Sequence, residues 1–312
     1  MTAATVTVRR DAAPAANWQI WLGLWIVYLV WGSTYLAIRV VVETIPPFLS
    51  AGIRFSFAGA AMLAFLAWRR GPAVLRPGRR HLLACLAVGT LLMGANAVVS
   101  VAEVDVPSSM AALLIASVPL WVIIYRRALG DRVATISVAA VLVGFAGVAL
   151  LLLPGKQTGG APILALLTCI VAAAMWAGGS VASPRLSLPR DPFVAGGWEM
   201  LLGGAVCVLT GALAGEFGDF HPAEFSLRSV LGLAYLVTFG SWLAFTAYAW
   251  LLQNAPVSRV ATYAYVNPVV AIALGWAILD EAVTPLTFGG AAIIVASVAA
   301  VVRTESRRSN PR

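Results

Sequence analysis

Charge is what this chain lacks most. Of 312 residues only 11% are charged, while 61% are hydrophobic. A soluble domain carries about 25% charged residues, so polar side chains are too few here to cover a water-facing surface. Histidine is nearly absent, with His81 and His221 both at segment ends. The three cysteines, Cys85, Cys169 and Cys207, lie inside apolar stretches and read as small buried hydrophobes, not as a disulfide framework. No His/Cys/carboxylate cluster is present, so no metal site, no cofactor and no metalloenzyme is expected. A membrane-embedded enzyme would also need paired carboxylates or a Ser/His pair at membrane depth, and none occurs. The net charge of +8 does not point to nucleic acid, because the basic residues sit in short clusters between apolar segments.

What is present in abundance is long apolar stretches. Bounded by charge or proline, they cover 18–38, 48–68, 82–101, 107–125, 134–153, 161–181, 193–214, 229–251, 257–278 and 285–302. A hydrocarbon core takes about 20 apolar residues per helix, so these predict ten transmembrane helices and an all-α membrane protein whose principal partner is the lipid bilayer. Residues 1–17 and 303–312 are left as short tails. Arg9-Arg10 is followed by Asp11-Ala12-Ala13-Pro14 with no small-residue cleavage site beyond, so 18–38 reads as an uncleaved first helix. With the N-terminus in the cytoplasm, 17 of the 21 basic residues fall in cytoplasmic segments. Arg39, Lys156 and Arg228 fall in outer loops, and Arg54 lies within a span. That asymmetry predicts an inner-membrane protein with both termini cytoplasmic.

The chain also repeats itself. At an offset of 145, Trp31 meets Trp176, Pro47 meets Pro192, Phe48 meets Phe193, Gly52 meets Gly197 and Gly59 meets Gly204. At an offset of 149, Pro107 and Pro119 meet Pro256 and Pro268. The expected halves are 18–153 and 161–302, five helices each. Five is odd, so the second half enters the membrane in the opposite sense. Inverted repeats of this kind recur in transporters that bind substrate near the midplane between the halves.

Candidate site residues follow from depth and polarity. Trp31, Thr34 and Tyr35 continue an aromatic stripe that begins at Trp18, and Trp176 is the repeat mate of Trp31. Tyr235, Phe239, Trp242, Phe245 and Tyr248 make a second stripe, expected as an aromatic wall through Trp242 and Tyr248. Asn96, Ser117, Tyr263 and Asn267 are polar groups in apolar helices, suited to a substrate or to interhelical bonds. Pro119 and Pro268 are expected to kink their helices, the second freeing a carbonyl at residue 264. Arg54 and Glu199 are charges well inside spans, at matching repeat positions toward opposite surfaces. They are candidates for gating or coupling, with protons as a candidate coupling ion.

Trp31-Gly32-Ser33-Thr34-Tyr35, Arg54-Phe55, Val106-Pro107-Ser108-Ser109-Met110-Ala111-Ala112-Leu113 and the run from Asn267-Pro268-Val269-Val270-Ala271 to Asp280-Glu281 together resemble EamA-type carriers of the drug/metabolite transporter superfamily. The resemblance spans about residues 20–302. It implies ten helices, cytoplasmic termini, a cavity lined mostly by the first four helices of each half, and a peripheral fifth helix in each. The chain departs from that pattern at Asp131-Arg132, where Gly-Glu is more usual, and at Glu199, where Gln is common. The expected function is alternating-access export of amino acids or related small metabolites. A multidrug or nucleotide-sugar carrier is the alternative within transport, and a non-transporting membrane subunit the alternative outside it.

Overall fold

In the computed structural model, residues 16–309 are described except 154, 256 and 261. The expected tail before residue 16, the residues after 309 and the repeat proline Pro256 lie outside the described residues. Helices come in the order α1 (Asn17–Val41), α2 (Pro47–Arg70), α3 (Arg79–Ala102), α4 (Ser108–Ile115), α5 (Val118–Ala128), α6 (Thr135–Leu151), α7 (Ile163–Ala182), α8 (Pro192–Leu213), α9 (Leu227–Tyr235), α10 (Ala244–Asn254), α11 (Val257–Val260), α12 (Tyr263–Leu279) and α13 (Pro285–Ser309). A π-helical stretch, Leu236–Leu243, joins α9 to α10. Among the described residues, eight helical runs are long and apolar enough to cross a membrane, and Thr135–Leu151 and Tyr263–Leu279 are shorter apolar helices. No strand occurs among the described residues.

Three expected spans are interrupted. The run 107–125 breaks at Ala116 and Ser117, between α4 and α5, and Pro119 takes the second position of the new helix, where a missing N–H costs nothing. Its intended counterpart behaves differently, since α12 runs on through Pro268. The run 229–251 is broken by the π-helical stretch, and 257–278 begins with the separate short turn α11.

Packing centres on α8, which lies against both α2 and α3. Glycines set the distance. A Cβ on Gly59 would stand 2.5 Å from the Leu201 backbone nitrogen, and one on Gly204 would stand 2.5 Å from the Ser56 nitrogen. On the other face, a Cβ on Gly89 would run into the Glu199 carbonyl, and one on Gly203 into the Gly89 carbonyl. Each obstacle is main chain, which cannot rotate aside. In lipid, where apolar side chains gain little by leaving solvent, such close backbone approach is a main source of helix association. Around this frame, α1 packs on α10 and α12, α5 on α7, and α6 pairs with α13 at the flank.

Loops gather at two ends of opposite character. At one end, the Glu216 carboxylate accepts from Phe48 N (3.0 Å) and Leu49 N (2.9 Å), capping α2. Glu281 does the same for α4, accepting from Ser108 N (2.7 Å) and Ser109 N (2.9 Å). Carboxylates suit this place, because the first N–H groups of a helix lack intrahelical partners and carry the positive end of its dipole. Each cap contributes about 0.5–2 kcal/mol. Arg39 donates to the carbonyls of Glu103 and Val104, and Ser229 Oγ to the Val40 carbonyl at 2.8 Å. The other end is rich in arginine. Arg70 pairs with Asp191, and Asp131 Oδ2 accepts from Arg185 at 2.7 Å and from Arg126 Nε at 3.2 Å. Those two hydrogen bonds hold the Asp131 carboxyl below its usual range.

Glu103 stands out at the acidic end. It is 0% exposed, and neither carboxyl oxygen has a hydrogen-bond partner among the described residues. Burial first, and then the Glu281 carboxylate, push its pKa well above the usual carboxylate range, against the opposing pull of Arg39.

Two predictions follow from the packing and this carboxyl. Gly89→Val or Gly204→Val should cost upwards of about 1–3 kcal/mol by overpacking and remove the monodisperse peak in size-exclusion chromatography. Gly218→Ala, which meets nothing within 4 Å, should leave the peak intact. Equal profiles for the three variants would refute backbone contact at α8. For Glu103, a raised carboxyl binds its proton more tightly in the fold. Its contribution is complete below the unfolded value of about 4.3 and is lost as pH climbs through the folded value. Glu103→Gln, neutral at every pH, should therefore flatten the decline in melting temperature as pH rises above about 5 in scanning fluorimetry. Parallel profiles for parent and variant would show that Glu103 does not titrate in this way.

Candidate functional site

A cavity of about 160 Å³ lies among α1, α2, α3, α4, α5, α7, α8, α10, α12 and the π-helical stretch. At about 10–15 Å³ of probe volume per water it has room for on the order of ten waters, or one small solute. From α1 it is lined by Trp31, Thr34, Tyr35 and Ile38, one face of the helix. The other walls include Arg54 and Phe55 of α2, Asn96 of α3, Pro119 of α5, Trp176 of α7, and Tyr263, Asn267 and Pro268 of α12.

The π-helical stretch positions two of these groups. Widening the turn to i→i+5 bonds frees main-chain groups and shifts the side-chain register, which is why such turns gather at functional sites. Here the Gly240 carbonyl accepts from Trp31 Nε1 at 3.2 Å, and Ser241 Oγ accepts from Arg54 Nε at 3.0 Å. Gly240 itself is needed small. A Cβ there would stand 3.2 Å from an Arg54 guanidinium nitrogen and 3.3 Å from the Thr34 methyl group. Arg54 also lies over the Phe55 ring, 4.5 Å from its centroid. Trp31 is steadied by Tyr248 and Tyr263, whose ring centroids are 5.1 and 5.2 Å away.

Some of the polar lining is already engaged. Thr34 Oγ1 donates to the Trp31 carbonyl at 2.6 Å, and Asn96 Nδ2 to the Leu92 carbonyl at 3.1 Å. Asn267 is different. It is buried, and its Oδ1 has no partner among the described residues.

Of the residues singled out in the sequence, Trp31, Thr34, Tyr35, Arg54, Asn96, Pro119, Trp176, Tyr263, Asn267 and Pro268 meet at this cavity. Four lie elsewhere. Ser117 is fully buried at the α4–α5 break, its hydroxyl donating to the Leu114 carbonyl at 2.6 Å. Trp242 points away, its indole N–H donating to the Ala58 carbonyl at 2.9 Å and its ring facing Phe65. Tyr248 stands one layer back, behind Trp31. Glu199 sits where α8 touches α3, and no ion pair joins it to Arg54 among the described residues. The expected aromatic stripe from Tyr235 to Tyr248 assumed a continuous 3.6-residue period. The π turn breaks that period, so Gly240, Ser241 and Phe245 line the cavity and Trp242 does not. The signal that could have revealed the pair is weak, the small residues Gly240-Ser241 shortly after Thr238 in a mostly apolar run.

Comparison with known proteins agrees with this architecture. The model of the EamA-like transporter family matches residues 18–153 and again 163–303. The uncharacterized inner membrane transporter YedA of Escherichia coli K12 is 37% identical over 280 residues, covering 89% of each chain. The uncharacterized transporter YoaV of Bacillus subtilis is 24% identical over 295 residues, covering 93% of this chain and 99% of its own. A protein of known crystal structure, 24% identical, superposes with a TM-score of 0.62 over 93% of this chain and 99% of its own, a likeness of fold. The family and these named relatives point to a transporter rather than an enzyme, and with a matching segment in each half the chain belongs to the EamA-like transporter family.

Proposed function

We propose that this chain is an alternating-access carrier of the inner membrane that exports amino acids or related small metabolites through the central cavity. The observation that carries the reading is the composition of that cavity. Both halves of the chain build it, α1 to α5 from the first and α7, α8, α10, α12 and the π-helical stretch from the second. In this reading the ten apolar helical runs all span the membrane, as two inverted repeats of five. The two matching family segments support that division, and so does the pairing of the last helix of each half, α6 with α13, away from the cavity. The arginine-rich end faces the cytoplasm and the acidic end faces out.

The two ends supply the switch that such a mechanism needs. At the acidic end, Glu216 and Glu281 tie loops of the second half to α2 and α4 of the first. At the other, Tyr28 of α1 meets Thr262 beside α12 through their hydroxyls, and a Cβ on Gly23 would stand 3.1 Å from Leu251. Each contact is worth on the order of 1 kcal/mol, so either end can open while the other holds.

Export is tested by comparing the medium of deletion and overexpression strains. Overexpression should raise one or a few extracellular amino acids or close relatives, and deletion should lower them. Trp31→Ala and Trp176→Ala should each reduce that export about fivefold or more at unchanged protein level, as loss of roughly 1 kcal/mol of aromatic contact implies. Unchanged export in both variants would sink the cavity as the pathway. Orientation is tested separately. The three native cysteines are buried, so Lys156→Cys and Leu75→Cys provide exposed thiols at opposite ends. A membrane-impermeant maleimide should label position 156 in intact cells and position 75 only after permeabilisation. Labelling of both from the same side would defeat the inverted arrangement.

A further inference from the structure

The charge inventory of the cavity is lopsided. Its lining includes one charged side chain, Arg54, and no aspartate or glutamate. Arg54 is 6% exposed, and a guanidinium keeps its charge in any accessible medium. Among the described residues its one hydrogen bond is from Nε to Ser241, and no carboxylate pairs with it. Ser241 and Phe55 hold the group from behind, while the missing side chain at Gly240 leaves space beside a terminal nitrogen. A buried charge without a partner is costly, and the terminal N–H groups form the planar fork that matches a carboxylate. Asn267, 8% exposed on the same cavity, adds an oxygen that lacks a donor. Much of the remaining wall is aromatic, from Trp31, Tyr35, Phe55, Trp176, Phe245 and Tyr263.

We propose that the cavity takes a small organic anion whose single carboxylate forks onto Arg54, with a hydrogen-bond donor for Asn267 and an apolar or planar body against the aromatic wall. This rests on the carrier reading but departs from its amino-acid part, keeping only related metabolites that carry a carboxylate and no amino group. One fixed positive charge is neutralised by one negative charge. A cation meets charge of its own sign, and the ammonium group of a zwitterion finds no carboxylate in the lining, so a monocarboxylate suits the site better than either.

The test uses purified full-length protein in lipid nanodiscs and radiolabelled benzoate, read by scintillation proximity, with unlabelled benzoate, benzamide and benzylamine as competitors of nearly equal shape. Benzoate should compete at least about tenfold better than benzamide, the ratio expected for a charge-assisted hydrogen bond, and benzylamine should be the weakest. Arg54→Gln should bring benzoate down to the level of benzamide, and Arg54→Lys should keep part of the preference. Should the glutamine variant fail to fold, the ranking in the parent and in the lysine variant decides. Absence of a specific benzoate signal, benzamide or benzylamine competing as well as benzoate, or an unchanged ranking in Arg54→Gln overturns the anion assignment. Trp31→Ala and Trp176→Ala separate it from the reading beneath. If they weaken benzoate and benzamide alike while no anion preference exists, the cavity stands and only the anion assignment falls. If they change nothing while benzoate is still preferred, the anion binds elsewhere, and both fall.

Discussion

Everything at the centre of this molecule depends on how closely α8 can approach its neighbours. With Gly203 and Gly204 side by side on α8, one faces the main chain of α3 at Gly89 and the other the main chain of α2 at Ser56. Three helices are thus drawn together at distances that no side chain could tolerate. The same helices carry Arg54, Asn96 and Met200 into the cavity wall, so the register of those side chains is inherited from contacts that contain no side chain. A membrane protein has reason to build its frame this way, because burying leucine against leucine gains little when the alternative is lipid.

That frame explains how a polar site survives in so apolar a chain. Arg54 is bonded to Ser241 and stacked on Phe55, Trp31 is bonded to the Gly240 carbonyl, and Thr34 is folded back on its own helix. Each polar group is fixed by a neighbour before any solute arrives. The groups left open include the outer nitrogens of one guanidinium and the amide oxygen of Asn267. Pre-organisation of this sort lowers the entropy lost on binding, in keeping with the carrier role proposed for the cavity.

Much of this could be read from the sequence, for reasons that have limits. Long apolar runs mark helices because lipid leaves the backbone no other partner, so the membrane class and most helix positions were legible. Trp31, Tyr35, Trp176 and Asn267 could be picked out since aromatic and amide groups are conspicuous against alanine and valine. Ser241 was not. A π turn has no compositional signature strong enough to interrupt a periodicity argument, and one extra residue in the turn takes Trp242 out of the cavity lining and onto the Ala58 carbonyl of α2. Pro119 and Pro268 look equivalent on paper. Yet one stands in the first turn of a new helix and the other inside a continuous one, a difference that residue identity alone does not encode. Glu103 is equally silent in sequence, an acidic residue at a helix end until the fold closes over it.

The closures made by Glu216 and Glu281 have an evolutionary consequence. Each carboxylate bonds to main-chain N–H groups, of Phe48 and Leu49 in one case and Ser108 and Ser109 in the other. Nearly every residue type offers that same N–H. The capped segments are therefore free to drift in side-chain identity without loosening the latch, and the two glutamates are not. Paired substitutions, the usual trace of two residues in contact, would never appear between the partners. A contact that joins the two halves of the protein is in this way written in single residues, with its other side left blank.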